Sequence, residues 1–211
     1  KLIAGYFSEA SSTALIGERP LATRARRGKG GYSLTGRKMF ASMLQAADYC
    51  AVLTYPDEAT NPSAALFVFV PRDAAGRSVA ADWDTLGMRA TRSDSLTLEE
   101  CWVAESAAVY RTDDFREMRR DYASWFWASY TPVYLGVGIA AYNALLNVVK
   151  DRQPQGYAQP LAYHPDVRRQ VAKMSVELEA ARLMTYHSAW LSDTEGPTPK
   201  TLAALFRAKY M

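Results

Sequence analysis

The sequence predicts an α+β fold, with an antiparallel β-sandwich or barrel over residues 1–110 and a helical bundle over residues 111–211. Three observations predict it. The first half alternates short runs rich in Val, Leu, Phe, Tyr and Thr with Gly, Pro, Asn and Asp turns, and no helical period falls between them. The second half carries an apolar stripe that steps by four and three residues. Residues 125–149 hold no charge at all, the composition of a helix that needs apolar neighbours.

The elements follow in order. The chain opens on an apolar run, residues 2–7. Arg24, Arg26, Arg27 and Lys29 read as a solvated strand and turn rather than a phosphate groove. Gly28-Lys29-Gly30-Gly31 sits between two strand runs and reads as a hairpin turn, since no helix follows it. Strands are predicted over residues 34–40, 49–55, 64–70 and 95–103, roughly 10–15 residues apart. From about residue 112 the chain reads as helix. The charge-free stretch is long enough to span a bilayer. Pro132, Asn143 and Asn147 interrupt it, and Ala, Gly, Ser and Tyr dilute its strongly apolar residues, so it reads as a bundle helix beginning near Pro132. Gly136 and Gly138 would let a neighbouring helix approach. Val167, Val171, Met174, Leu178, Ala181 and Met184 form one stripe on a helix from Pro165 to about Ser192, with Arg168, Lys173, Glu177 and Glu179 off it. Thr198 is a good N-cap and Pro199 suits the first position of a last helix over residues 198–211.

Composition sets the outer limits. The chain has 211 residues, 49% hydrophobic and 22% charged, which excludes collagen-like, low-complexity and wholly disordered classes. A net charge of +3 does not argue for a nucleic-acid partner. Cys50 and Cys101 lie in apolar, strand-like surroundings and read as reduced core thiols, consistent with a cytoplasmic protein, and the bundle reading of residues 125–149 leads us to expect no membrane partner. His164 and His187 have no ligand-spaced partner, so no metal site is expected. A start at Lys1 and a last helix that stops at Met211 without a stop signal lead us to expect an interior piece of a longer protein. No nucleophile elbow, HExxH or CxxC occurs, and Glu99-Glu100 is expected at a strand end with its side chains on opposite faces. Residue spacing alone therefore stops at a β domain followed by a helical bundle.

Resemblance goes further. Gly31-Tyr32-Ser33-Leu34-Thr35-Gly36-Arg37-Lys38-Met39-Phe40-Ala41-Ser42 resembles the "gdgyxlnGxKxwis" segment of the acyl-CoA dehydrogenase family, and Ala47-Asp48-Tyr49-Cys50-Ala51-Val52 resembles its "ADxxxv". Leu86-Gly87-Met88-Arg89-Ala90-Thr91-Arg92-Ser93 resembles "lGmRxsxt", and Leu98-Glu99-Glu100-Cys101-Trp102-Val103-Ala104-Glu105 resembles "fedvxVPe". Tyr134-Leu135-Gly136-Val137-Gly138-Ile139-Ala140 resembles the opening of the family's C-terminal bundle, and residues 164–190 resemble the helix "hqxvqxxlaemxxxleaaraxxyxaaw". The matches run in family order across nearly the whole chain.

The resemblance implies a middle β domain for flavin and substrate binding (1–110) and part of an up-down four-helix bundle (111–211). The family's N-terminal helical domain and the loop bearing its glutamate base match nothing here, so no catalytic residue is assigned. FAD is the implied cofactor. Tyr6, Phe7 and Ser8 resemble the strand that contacts the flavin ring. Phe40, Ala41 and Ser42 resemble the segment where an aromatic packs on the flavin and a hydroxyl bonds its ring. An aromatic face suits the isoalloxazine, and a serine hydroxyl can donate to a reduced, anionic flavin. Ser12 and Thr13 stand where the family's substrate-contacting "GSD" turn is lost. Arg152 matches the arginine that reaches a neighbouring subunit's FAD, although the family's phenylalanine beside it is absent. The implied activity is α,β-dehydrogenation of an acyl thioester (fatty acid metabolism), with hydride transfer to flavin N5. The implied partners are acyl-CoA or another small molecule, an electron-transfer flavoprotein, and further copies in a homodimer or homotetramer. A flavin-dependent monooxygenase of the same fold, or a non-catalytic fragment, are the alternatives.

Overall fold

The computed structural model describes residues 1–10 and 19–210. Substrate candidates Ser12 and Thr13 lie outside the described residues. Packing divides the chain into two units, Lys1–Met118 and Arg119–Met211.

Among the described residues the first unit is built on eight strands: β1 (Ile3–Tyr6), β2 (Arg24–Gly28), β3 (Gly31–Lys38), β4 (Tyr49–Pro56), β5 (Ala65–Pro71), β6 (Arg77–Val79), β7 (Leu96–Ala104) and β8 (Ala108–Thr112). They hydrogen-bond in the order β6-β7-β3-β2-β4-β5-β8, with β1 also on β4. The sheet is mixed rather than wholly antiparallel. β1 pairs parallel with the first half of β4, Ile3 opposite Tyr49 and Tyr6 opposite Val52. β2 pairs parallel with its end, Arg24 opposite Tyr55. Strand spacing without intervening helices predicted antiparallel pairing, but the choice of partner belongs to long-range pairing.

β4 explains the layering. It is buried almost along its whole length, as its unbroken apolar run requires. Cys50 and Val52 face a core with Leu34, Leu66, Val68, Leu96 and Leu98. Leu53 and Tyr55 face a second core with Leu21, Ala64 and Phe115. The Gly28–Gly31 hairpin forms as expected, Gly28 opposite Gly31 with Gly30 at φ 75. Gly31 is obligatory because a Cβ there would stand 2.1 Å from the Val103 carbonyl oxygen. Glu99 and Glu100 lie inside β7 rather than at its end, and both are exposed. Glu100 takes the left-handed conformation (φ 49), which breaks the alternation of faces. The basic strand is tied down: Arg24 pairs with Asp57 at 2.7 Å, Arg26 with Glu100 at 3.1 Å, and Arg27 with Glu105. Cys50 and Cys101 are free and buried, and burial pushes both thiols above their ordinary range.

The helices are α1 (Phe115–Asp151), α2 (Pro165–Glu195) and α3 (Pro199–Tyr210). Asp114 caps α1, its Oδ1 accepting from Arg116 N at 2.9 Å. α1 does not begin near Pro132 but runs through it. Thr131 Oγ1 donates to the Trp127 carbonyl at 2.8 Å, one turn back beside the proline. Within α1, residues 122–151 are long and apolar enough to cross a membrane, yet only 6% of the apolar window is buried. The burial expected of a bundle helix is thus not supplied by α2 and α3. Gly138 meets Leu178, to which a Cβ would come within 3.1 Å, whereas Gly136 faces open space. The α2 stripe is partly buried from Val167 to Met184 while Arg168, Lys173, Glu177 and Glu179 are exposed. α2 runs on to Glu195, and Gly196 at φ 67 follows it. Thr198 caps α3, accepting from Thr201 N at 3.2 Å.

Candidate functional site

The first unit concentrates its unusual features where β4 changes edge partner from β1 to β2. The chain leaves β1 after Tyr6, and Phe7-Ser8-Glu9 runs to the end of β3. There the Ser8 carbonyl accepts from Met39 N at 2.9 Å. The two segments expected to share a site are therefore hydrogen-bonded together. Their side chains divide. Tyr6 and Ala41 are buried in the first core. Phe7 packs edge-on against Phe67, ring centroids 5.3 Å apart, beside the second core. Tyr6 and Ala41 are therefore framework whose side chains offer a ligand no surface, whereas Phe7 is partly buried. Tyr6 donates from its hydroxyl to the Ser42 carbonyl at 3.2 Å, and burial holds its phenol well above the ordinary range. Phe40 and Ser42 are exposed, Phe40 at 61% of its surface.

Below them lies a buried ion pair. Glu9 accepts from Lys38 Nζ at 2.5 Å, Thr23 N at 2.9 Å and Ala22 N at 2.6 Å. Burial alone would raise the Glu9 pKa, but the Lys38 charge and the hydrogen bonds from Lys38 and Thr23 hold it below its ordinary value. Burial brings Lys38 down to about 8, partly offset by the Glu9 charge and hydrogen bond.

The other wall is the loop of residues 83–94, which spacing and composition did not mark as a site. Asp94 ties it to the Phe40 segment. Its carbonyl accepts from Ala41 N at 3.1 Å, and its carboxylate accepts from Trp83 N at 3.0 Å and Gln45 Nε2 at 3.3 Å. The Thr91 carbonyl accepts from Met43 N at 3.0 Å. The Trp83 ring meets Phe40 edge-on at 6.2 Å. Phe40, Met43, Leu86 and Met88 stand exposed together on these two joined loops. Of the five non-glycine residues at positive φ among the described residues, Phe40 (56), Met43 (61), Met88 (55) and Arg92 (44) lie here. Each costs about 1–2 kcal/mol, and strain of this kind collects at functional sites. The readable signal was the resemblance of residues 86–93 to a family segment; the left-handed conformations left no mark in the sequence.

Hydroxyls line the junction. Ser42 Oγ lies 2.7 Å from Ser93 Oγ, which lies 2.8 Å from Thr91 Oγ1, which donates to the Met88 carbonyl at 2.7 Å. An exposed aromatic face beside an exposed hydroxyl, on a rigid frame, fits a flat heteroaromatic ring with polar edge atoms.

Arg152 belongs to the helical unit. Its N–H closes the last turn of α1 on the Val148 carbonyl at 3.0 Å, and its carbonyl accepts from Leu161 N at 2.9 Å. Its side chain is exposed and makes no ion pair among the described residues. In the same unit Met184, His187, Ala204 and Arg207 line a cavity of about 340 Å³, which holds no predicted site residue.

Both halves of the chain have relatives among known proteins. Residues 13–101 match the model of the acyl-CoA dehydrogenase middle domain, and residues 129–211 match that of the acyl-CoA dehydrogenase C-terminal domain. YdbM of Bacillus subtilis (strain 168), whose name assigns it provisionally to the acyl-CoA dehydrogenases, is 30% identical over 196 residues, covering 92% of this chain and 49% of YdbM. Indole-3-acetate monooxygenase of Pseudomonas putida is 28% identical over 186 residues, covering 84% of this chain and 47% of the relative. Among solved structures, an FAD-dependent dehydrogenase superposes with a TM-score of 0.83 at 25% identity, over 98% of this chain and 56% of the other. Butyryl-CoA dehydrogenase of Megasphaera elsdenii shares the fold, with a TM-score of 0.80 at 21% identity over 99% of this chain and 54% of the other. The chain spans about half the length of the curated relatives it matches.

Proposed function

The chain belongs to the acyl-CoA dehydrogenase family, and from that premise we propose that it forms the cofactor-facing part of an FAD-dependent oxidoreductase that dehydrogenates an acyl thioester. The observation that carries this reading is the junction of the Tyr6–Ser8 and Phe40–Ser42 segments beneath one open aromatic face. When bound, FAD supplies the two-electron chemistry. Phe40 offers its ring face to the isoalloxazine, and Ser42 meets the ring edge. Tyr6, Ser8 and Ala41 hold those two residues through the backbone and the core. Arg152 reaches the FAD pyrophosphate of a neighbouring subunit in a homodimer or homotetramer through charge-assisted hydrogen bonds. The base that takes the substrate α-proton comes from outside this chain, and an electron-transfer flavoprotein is the proposed acceptor. Ser12 and Thr13 contact the thioester substrate.

The test is anaerobic addition of an acyl-CoA series to the purified full-length protein. Loss of the oxidised flavin band with formation of a 2-enoyl product supports the reading. A second reading, a flavin-dependent monooxygenase, is favoured by the Pseudomonas putida relative and by the lost "GSD" turn. No bleaching with any acyl-CoA, together with oxygen incorporation when the flavin is reduced externally, selects it instead.

A further inference from the structure

The row of hydroxyls behind Ser42 has a direction. The Met88 carbonyl oxygen carries no proton, so Thr91 Oγ1, 2.7 Å away, must place its one hydrogen there. Thr91 then has only lone pairs for Ser93, 2.8 Å away, so Ser93 donates to Thr91. Ser93 in turn has only lone pairs for Ser42, 2.7 Å away, so Ser42 donates to Ser93. Each hydroxyl has a single hydrogen, and the chain consumes all three inward. The exposed Ser42 oxygen is left able to accept and unable to donate, the reverse of the donor role the sequence led us to expect.

Local structure keeps the chain in this order. Ser93 is 6% exposed, so water does not compete for its hydrogen. The Met88 carbonyl is fixed by the left-handed conformation of Met88 and also accepts from Trp83 Nε1 at 3.0 Å. The polarity of the chain is thus set by a backbone carbonyl and read out at an exposed oxygen beside Phe40.

We propose that Ser93 and Thr91 are positioning residues that hold Ser42 as a hydrogen-bond acceptor toward the flavin edge, and so favour the reduced ring over the oxidised ring. The inference rests on the reading that Phe40 and Ser42 face FAD. General flavin chemistry supplies the discrimination. The reduced ring carries a hydrogen on its central edge nitrogen and can donate to Ser42. The oxidised ring presents a lone pair there, which a lone pair on Ser42 repels. Discrimination between the two states appears as a difference in their affinities and therefore as a potential.

The experiment uses the full-length FAD-loaded protein and measures the two-electron midpoint potential and the oxidised-FAD dissociation constant. Thr91→Val cannot accept, so it releases the Ser93 hydrogen to Ser42 and frees Ser42 to donate outward; Ser93→Ala frees the Ser42 hydrogen directly. Both variants are expected to lower the ratio of reduced to oxidised FAD affinity about tenfold, which is about 30 mV more negative for a two-electron couple. Thr91→Ser keeps the hydroxyl and is expected to keep the wild-type potential. Ser42→Ala is expected to shift the potential in the same direction, with no further shift when Thr91→Val is added. A potential unmoved in both Thr91→Val and Ser93→Ala, in protein whose FAD affinity responds to Phe40→Ala, overturns the relay and leaves the flavin platform standing. If neither Phe40→Ala nor Ser42→Ala changes FAD affinity or the visible spectrum, the platform falls and the relay with it.

Discussion

Lys38 Nζ lies 2.5 Å from Glu9 Oε1, and the two side chains are 0% and 1% exposed. The pair fastens the end of β3, two residues before Phe40, to the segment that follows Tyr6. A buried pair contributes little over an apolar replacement, but breaking it strands a charge. Lys38→Met in the full-length protein is expected to lower unfolding free energy by about 3–5 kcal/mol, read from urea denaturation. Pairing it with Glu9→Gln should recover part of the loss, and a loss below ~1 kcal/mol in the single variant would contradict the role.

Acid should release the same clamp. The Glu9 carboxyl in the folded protein is held below its ordinary value of 4.5. The unfolded chain therefore binds the proton more tightly, so the Glu9 contribution is complete above about 4.5 and is lost as pH falls through the folded value. Thermal midpoints measured from pH 6 downward, a range of about two or three units, should fall more steeply for the wild type than for Glu9→Gln. Parallel curves would remove Glu9 from the acid response.

Phe40 separates binding from stability, because the residue is 61% exposed and its φ is 56. Phe40→Ala should weaken FAD binding by about 1–3 kcal/mol in a dissociation titration while leaving the fold nearly as stable. Phe40→Gly should be more stable than Phe40→Ala by about 1 kcal/mol, because glycine adopts positive φ without the Cβ clash. The opposite order would show that the left-handed conformation is not maintained.

Arg152 has an exposed side chain at the end of α1. If it binds the FAD pyrophosphate, Arg152→Ala weakens FAD by roughly 2 kcal/mol or more and Arg152→Lys recovers only part of it. If it serves only the helix C-terminus, both variants change stability by less than about 1 kcal/mol and FAD affinity stays at the wild-type value.

The helical unit leaves Trp125, Val133, Tyr134, Val137 and Val148 of α1, and Val176 and Leu183 of α2, exposed. An apolar surface of that extent requires cover. The full-length protein is expected to bury it within its bundle and across a homodimer or homotetramer interface. Light scattering should give a mass of at least two chains; a monodisperse monomer at micromolar concentration would defeat the assembly.

Local chemistry was legible without coordinates. The Gly28–Gly31 turn, the strands around Val52, Val68 and Leu98, the α2 stripe and the Thr198 cap each depend on residues close in sequence, so short-range propensity and period suffice. Phe40 and Ser42 were visible through their motif. The tertiary structure alone decided that β1 and β2 both lie parallel to β4, because strand partners are chosen by hydrogen bonds between distant residues. It decided that α1 continues through Pro132, where one lost backbone hydrogen bond did not end the helix. It decided that Tyr6 and Ala41 are core while Phe40 stands open. Above all it joined Ser42 to Ser93 and Thr91, about 50 residues apart in sequence, through Asp94 and two strained loops. The direction of that hydroxyl chain depends on a carbonyl whose orientation only the folded backbone supplies.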